Sequence, residues 1–145
     1  MDMAQDRELM VAPCGIDCGR CECHTAKDDV VLFDYLVSLG IPRDRLPCGG
    51  CRAVKGACPV LEIGCDTYDC VTARGLRFCS GCADFPCTRL NPAADRAERL
   101  PHNTKVFNLC YIERQGLARF IEKSGEIKER HFKGKMAIGR GPQLE

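Results

Sequence analysis

The clearest alternation of apolar and polar positions lies after Asp28, where Val31, Leu32, Tyr35, Leu36 and Leu39 recur at spacings of one, three and four. That period predicts an amphipathic helix with its apolar face in a core. Asp28 and Asp29 suit its positive N-terminal end, and Gly40 with Pro42 closes it. A second amphipathic region holds Val106, Phe107, Cys110, Leu117, Phe120 and Ile121, with a break expected at Gly116 and an end at Gly125. Cys110 falls on its apolar face and reads as a core residue. Elsewhere the pattern is weaker. Residues 1–12 read as a polar extended piece ending in Leu9-Met10-Val11-Ala12, and Val60, Leu61 and Ile63 read as anchors for one or two helical turns within 60–77. Thr88 to Pro101 reads as connecting structure limited by Pro92 and Pro101. Residues 126–145 show no clear period and read as an extended arm, solvated or laid along the body or a partner.

Composition changes this picture in the middle of the chain. Between residues 40 and 100 ordinary apolar side chains are thin, while Gly, Pro, Cys and charge dominate, so apolar burial alone would not fix that region. At 145 residues the chain has room for one domain plus tails. Thirteen cysteines supply an alternative source of stability, and eight of them fall between Cys48 and Cys87. Met1 to Val11 carries Asp2, Asp6, Arg7 and Glu8 and no apolar run of signal-peptide length, and no later stretch could span a bilayer. A reducing cytoplasm is therefore the expected compartment, where clustered thiols are ligands more often than disulfides. Structural zinc contributes on the order of 10 kcal/mol to the folding of small peptides, enough to replace the missing core.

The spacing of the thiols supports metal. Cys48-Gly-Gly-Cys51 and Cys79-Ser-Gly-Cys82 each let two thiolates face one ion, and Gly50 and Gly81 permit positive φ and bring backbone N–H groups near sulfur. Cys58, Cys65, Cys70 and Cys87 are single thiols close by, and Cys14, Cys18 and Cys21 form an earlier cluster with Cys23 and His24 beside it. With Cys110 set aside, twelve cysteines would serve as many as three four-thiolate sites. One division joins Cys48 and Cys51 to two of Cys58, Cys65 and Cys70, and Cys79, Cys82 and Cys87 to one remaining thiol. The N-terminal trio then takes a fourth ligand from Cys23, His24 or another segment.

The order of these motifs carries a resemblance. Cys14-Gly-Ile-Asp-Cys18-x-x-Cys21, an amphipathic helix, Cys48-Gly-Gly-Cys51 and then Phe78-Cys79-Ser-Gly-Cys82-Ala-Asp-Phe85-Pro86-Cys87-Thr-Arg-Leu90 resemble the cysteine-rich DUF3795 family over roughly residues 12 to 124. The resemblance implies a metal-binding domain without supplying a reaction. It carries over Cys14, Cys18, Cys21, Cys48, Cys51, Cys79, Cys82 and Cys87 as ligands.

Three chemistries compete for these residues. Zinc comes first, because the paired turns look like zinc-ribbon knuckles and a closed four-thiolate site needs little else; such a site is structural. Iron–sulfur [4Fe-4S] clusters are the alternative, since they also use four thiolates and backbone N–H groups around sulfur. The spacing Cys14-x3-Cys18-x2-Cys21 matches a radical-SAM motif, but the chain is too short for the usual barrel and lacks its strand–helix alternation. A thiol-redox enzyme built on Cys48 and Cys51, with Arg52 favouring the thiolate, comes third because no βαβ pattern surrounds the pair. Arg20, Arg52, Arg77 and Arg89 read as groups offsetting thiolate charge or facing solvent. No phosphate-binding loop, Ser/His/Asp order or carboxylate pair marks a catalytic site.

Charge is divided along the chain. Residues 1–98 carry 11 Lys and Arg against 15 Asp and Glu, a balance of −4, and residues 99–145 carry 10 against 5, a balance of +5. The basic tail contains Lys128, Arg130, His131, Lys133, Lys135 and Arg140 but only Phe132 as an aromatic platform, so a protein partner is favoured over nucleic acid. The sequence thus predicts a small, mainly α fold with irregular metal-stabilised cysteine-rich loops. Its expected organisation is a cysteine-rich metal-binding domain over residues 1–125 and a basic C-terminal arm over 126–145. The expected function is a cytoplasmic zinc-binding structural or protein-interaction module, or else an iron–sulfur electron-transfer or accessory subunit of a larger redox enzyme.

Overall fold

Among the described residues six α-helices dominate: α1 (Met3–Leu9), α2 (Glu22–Thr25), α3 (Val30–Ser38), α4 (Asp66–Ala73), α5 (Lys105–Gln115) and α6 (Leu117–Phe132). The computed structural model describes residues 2–134 and 136–144. Two-residue strands β1 (Met136–Ala137) and β2 (Gly141–Pro142) pair antiparallel near the end. The small, mainly helical fold is as expected, and most of residues 40–100 is irregular apart from α4 and single 3-10 turns.

The expected extended piece at the N-terminus is instead helix α1, capped by the Asp2 side chain, which accepts from Ala4 N–H. No α1 residue is buried, so the helix rests on its cap and on Arg7. Two Arg7 nitrogens reach the two carboxylate oxygens of Asp17, at 2.8 Å and 2.5 Å. Asp17 also accepts from Gly19 N–H and from the Ser124 hydroxyl on α6. A buried carboxylate with this many donors fixes where the first thiol loop leaves the body.

α3 starts at Asp29, whose side chain accepts from Leu32 N–H, and stops before Gly40 at φ +94. Its core-facing residue is Leu36, whereas Val31 is 81% exposed and Leu39 lies at the surface, so the expected apolar stripe is narrower than its spacing suggested. Leu36 packs with Cys23, Ala26, Ile41 and Leu46 in a small cluster against the thiol loops. In the middle of the chain α4 buries Thr67 and Val71, while the expected anchors Leu61 and Ile63 are exposed.

The main core lies under the α5–α6 hairpin, where Val11, Phe78, Leu90, Leu109, Ile112, Phe120 and Ile127 meet. Gly116 makes the expected break at φ +90. Gly125, by contrast, does not end α6. A side chain there would meet the Arg20 guanidinium at 3.0 Å, so its lack of one admits the arginine that donates to Ser124 on the same helix. The expected arm is consequently helical through Phe132, with Ile127 buried and Leu144 packed against the core. The boundary expected after residue 125 falls inside α6. Lys135 lies outside the described residues.

Candidate metal centres

Ten hydrogen-bonded residues between Val11 and Arg20 form the first wall of the site. Val11 and Asp17 pair as an isolated antiparallel bridge, and Ala12 N–H donates to Ile16 carbonyl at 2.8 Å, leaving Cys14 at the tip of a tight loop. Asn108 on α5 donates to the Gly15 carbonyl at 2.9 Å and secures that tip. The second wall is tied to the first by Cys48 N–H, which donates to the Cys23 carbonyl at 2.8 Å. Gly50 then turns at φ +101, where a side chain would meet the Met10 thioether at 3.1 to 3.2 Å, and its N–H points to Cys48 Sγ at 3.4 Å. Gly81, expected to behave alike, instead ends a 3-10 turn over Cys79–Gly81 without positive φ.

The third wall is the loop from Cys51 to Cys65, which lacks helix and strand and is held chiefly by Arg45, with Arg96 donating to the Val60 carbonyl at 3.4 Å. Arg45 donates to the carbonyls of Leu61, Ala57 and Cys58 at 2.8 to 3.1 Å. The charged turn that contains Arg45 gave no sequence signal for this role, because its acceptors are backbone atoms. Arg52 was expected to neutralise a thiolate. It instead donates to the Val11 carbonyl at 2.9 Å and the Arg77 carbonyl at 2.8 Å while lying over the Phe78 ring.

These three walls enclose a cavity of about 170 Å³ lined by Cys14, Cys18, Cys21, Cys23, Cys48, Cys51, Cys58 and Cys65. Eight thiols therefore share one chamber. Its remaining surface comes from His24, His102, Lys105 and a mostly apolar set including Ile16, Val60, Leu61 and Leu100. A smaller cavity of about 30 Å³ is lined by Cys70, Cys79, Cys82 and Cys87. Of the three single thiols that spacing left open, Cys58 and Cys65 fall in the cavity of Cys48 and Cys51, whereas α4 begins after Cys65 and carries Cys70 one turn further, to the cavity of Cys79, Cys82 and Cys87. Cys110 lies on α5 and lines neither cavity. Among the described residues no three His, Cys, Asp or Glu side chains converge as a ready-made shell for one ion. All thirteen cysteines are free thiols.

Cys23 and His24, left open by spacing alone, both line the chamber. His24 Nδ1 lies 2.7 Å from the Cys48 carbonyl, an acceptor, so that nitrogen donates and Nε2 faces the Lys27 ammonium at 3.3 Å. With both ring nitrogens engaged, His24 braces the second wall. Cys23 is buried and donates toward Cys21, which holds Cys21 below the ordinary thiol range and pushes Cys23 itself up.

Burial governs most of the other thiols. It pushes Cys14, Cys18, Cys48 and Cys58 up, Cys51 to about 12 and Cys79 to about 11, from an ordinary value of 9.0. Neutral thiols of this kind are poor redox nucleophiles, which speaks against Cys48 and Cys51 as a catalytic dithiol. The same shifts set a pH dependence for the metal-free chain. Above pH 9 the unfolded chain releases thiol protons that the folded chain retains until about 11 to 12, so the unfolded state binds fewer protons and stability falls as pH rises. Urea midpoints of chelated, reduced protein should drop steadily between pH 8 and 10.5. A flat profile would show that burial of these thiols is not retained without metal.

A family model described as protein of unknown function (DUF3795) matches residues 10–92. The chain belongs to the DUF3795 family. The DUF3795 match contains every cysteine of both cavities and ends before α5, short of the extent to residue 124 expected from the motifs. No curated protein and no solved structure matches the chain. No helix among the described residues is long and apolar enough to cross a membrane.

Proposed function

We propose that this chain is an iron–sulfur protein, with the eight-thiol chamber as the seat of its cluster chemistry. The observation that supports it is the shared cavity of about 170 Å³ lined by eight cysteines. A zinc ion takes four ligands at about 2.3 Å, so even two zinc ions, which would use all eight thiols, would leave most of that space unfilled. A [4Fe-4S] cluster is also held by four cysteines but occupies a volume, so eight thiols suit up to two such clusters. The lining between the cysteines is mostly apolar, and Lys105, whose charge favours the Cys14 thiolate, offers a counter-charge to an anionic cluster.

When bound, a cluster supplies one-electron transfer. No Ser/His/Asp order or carboxylate pair accompanies the chamber among the described residues, so the reading is an electron-transfer or accessory subunit of a larger redox enzyme, working with a protein partner in the reducing cytoplasm. The test is iron, zinc and acid-labile sulfide analysis on protein purified without oxygen, together with its visible spectrum. Iron and sulfide in matching amounts of about four or eight per chain, with broad brown absorption, are expected. Colourless protein holding only zinc would overturn this reading in favour of a structural zinc module.

A further inference from the structure

The smaller cavity differs from the chamber in size, walls and electrostatics. We infer that Cys70, Cys79, Cys82 and Cys87 form a separate four-thiolate site for one divalent ion of the zinc class. The cavity, about 30 Å³ against about 170 Å³ for the chamber, has room for a single ion between its lining side chains but not for a cluster. All four thiols come from within one 18-residue segment, from α4 through the 3-10 turn Cys79–Gly81 to the residue before the turn Thr88–Leu90.

The surroundings suit a closed, structural ion. Val71, Leu76, Phe85 and Leu90 complete the lining with apolar surface. Arg74 donates to Cys82 Sγ at 2.7 Å, and the Asp84 N–H approaches the same sulfur at 3.4 Å. Donors of this kind stabilise a thiolate without ligating the metal. Four thiolates around a divalent ion carry two negative charges, and Arg74 and Arg89, both lining the cavity, oppose them. Asp84 Oδ2 accepts from Arg74 at 2.9 Å and holds the guanidinium beside the sulfur. Binding draws the four sulfurs in to about 2.3 Å from one centre.

This site stands independently of what fills the chamber, and its test separates the two. Cys70→Ser and Cys82→Ser are each introduced in the full chain and purified without oxygen. The expected result is a loss of about one zinc per chain with iron, sulfide and visible absorption unchanged. Unchanged zinc, or loss of iron and sulfide in its place, overturns the assignment. Should either variant fail to fold, the zinc-edge X-ray absorption of the unaltered chain decides. Four sulfur neighbours at about 2.3 Å support the site, and nitrogen or oxygen neighbours, or no zinc, overturn it.

Discussion

Cys51→Ala is expected to strip the chamber and to abolish cooperative unfolding, whereas Cys110→Ala should alter neither cofactor content nor stability by more than about 1 kcal/mol. Both positions are partly buried cysteines, and they differ in what surrounds them. Cys51 lines the eight-thiol cavity, and its backbone N–H helps to hold the Cys18 sulfur in place, so its removal touches two walls at once. Metal bound to cysteine contributes on the order of 10 kcal/mol to a small fold, comparable to the whole stability of about 5 to 15 kcal/mol typical of a domain. The irregular loop from Cys51 to Cys65 has little apolar core of its own, because Leu61 and Ile63 are exposed. Cofactor content and a denaturant curve for each variant check the contrast. A Cys51→Ala protein with full iron and sulfide would remove Cys51 from the ligand set.

Phe120→Ala is expected to cost about 3 to 5 kcal/mol, read as a lower denaturant midpoint at unchanged slope. Phe120 is fully buried at the junction of α5 and α6, its ring 6.4 Å from that of Tyr111 and in one cluster with Val11, Leu109 and Ile112. The surrounding helices cannot collapse into the gap without breaking the turn at Gly116, so the cavity persists. Val31→Ala on α3, at an exposed position, is expected to stay within about 0.5 kcal/mol. Equal losses at the two positions would show that the hairpin is not the core.

Periodicity located the elements whose stability comes from apolar packing. The helix after Asp28 and Phe120 in the later helix were legible because each follows from side chains three or four positions apart, and the break at Gly116 because a glycine there permits positive φ. Helix α1 was not, since it buries nothing and depends on an Asp2 cap and an ion pair between Arg7 and Asp17 that no local pattern announces. The end of α6 was misplaced for a related reason: Gly125 looks like a terminator until Arg20, more than a hundred residues earlier, is seen lying against it.

The cavities show the same division. That cysteines cluster for a shared purpose could be read from spacing, and so could the linkage of Cys79, Cys82 and Cys87. Spacing could not assign Cys70, because its partners depend on where α4 begins, nor could it promote Cys23 from neighbour to lining residue. Arg45, Arg52 and Asn108 were invisible as supports because they bind carbonyl groups, and any residue can offer a carbonyl.

Chain order adds a consequence for biosynthesis. The set of eight lining cysteines is complete once Cys65 has been made, but the chamber's wall at Leu100, Pro101, His102 and Lys105 comes later. A chain growing from its N-terminus therefore presents the thiols before the residues that shelter them exist. The smaller cavity is finished in the interval, since its last cysteine is Cys87 and its last lining residue is Leu90. Translation thus leaves the larger cavity open on one side while the smaller one can already close, and the larger is walled only when Leu100 to Lys105 has emerged.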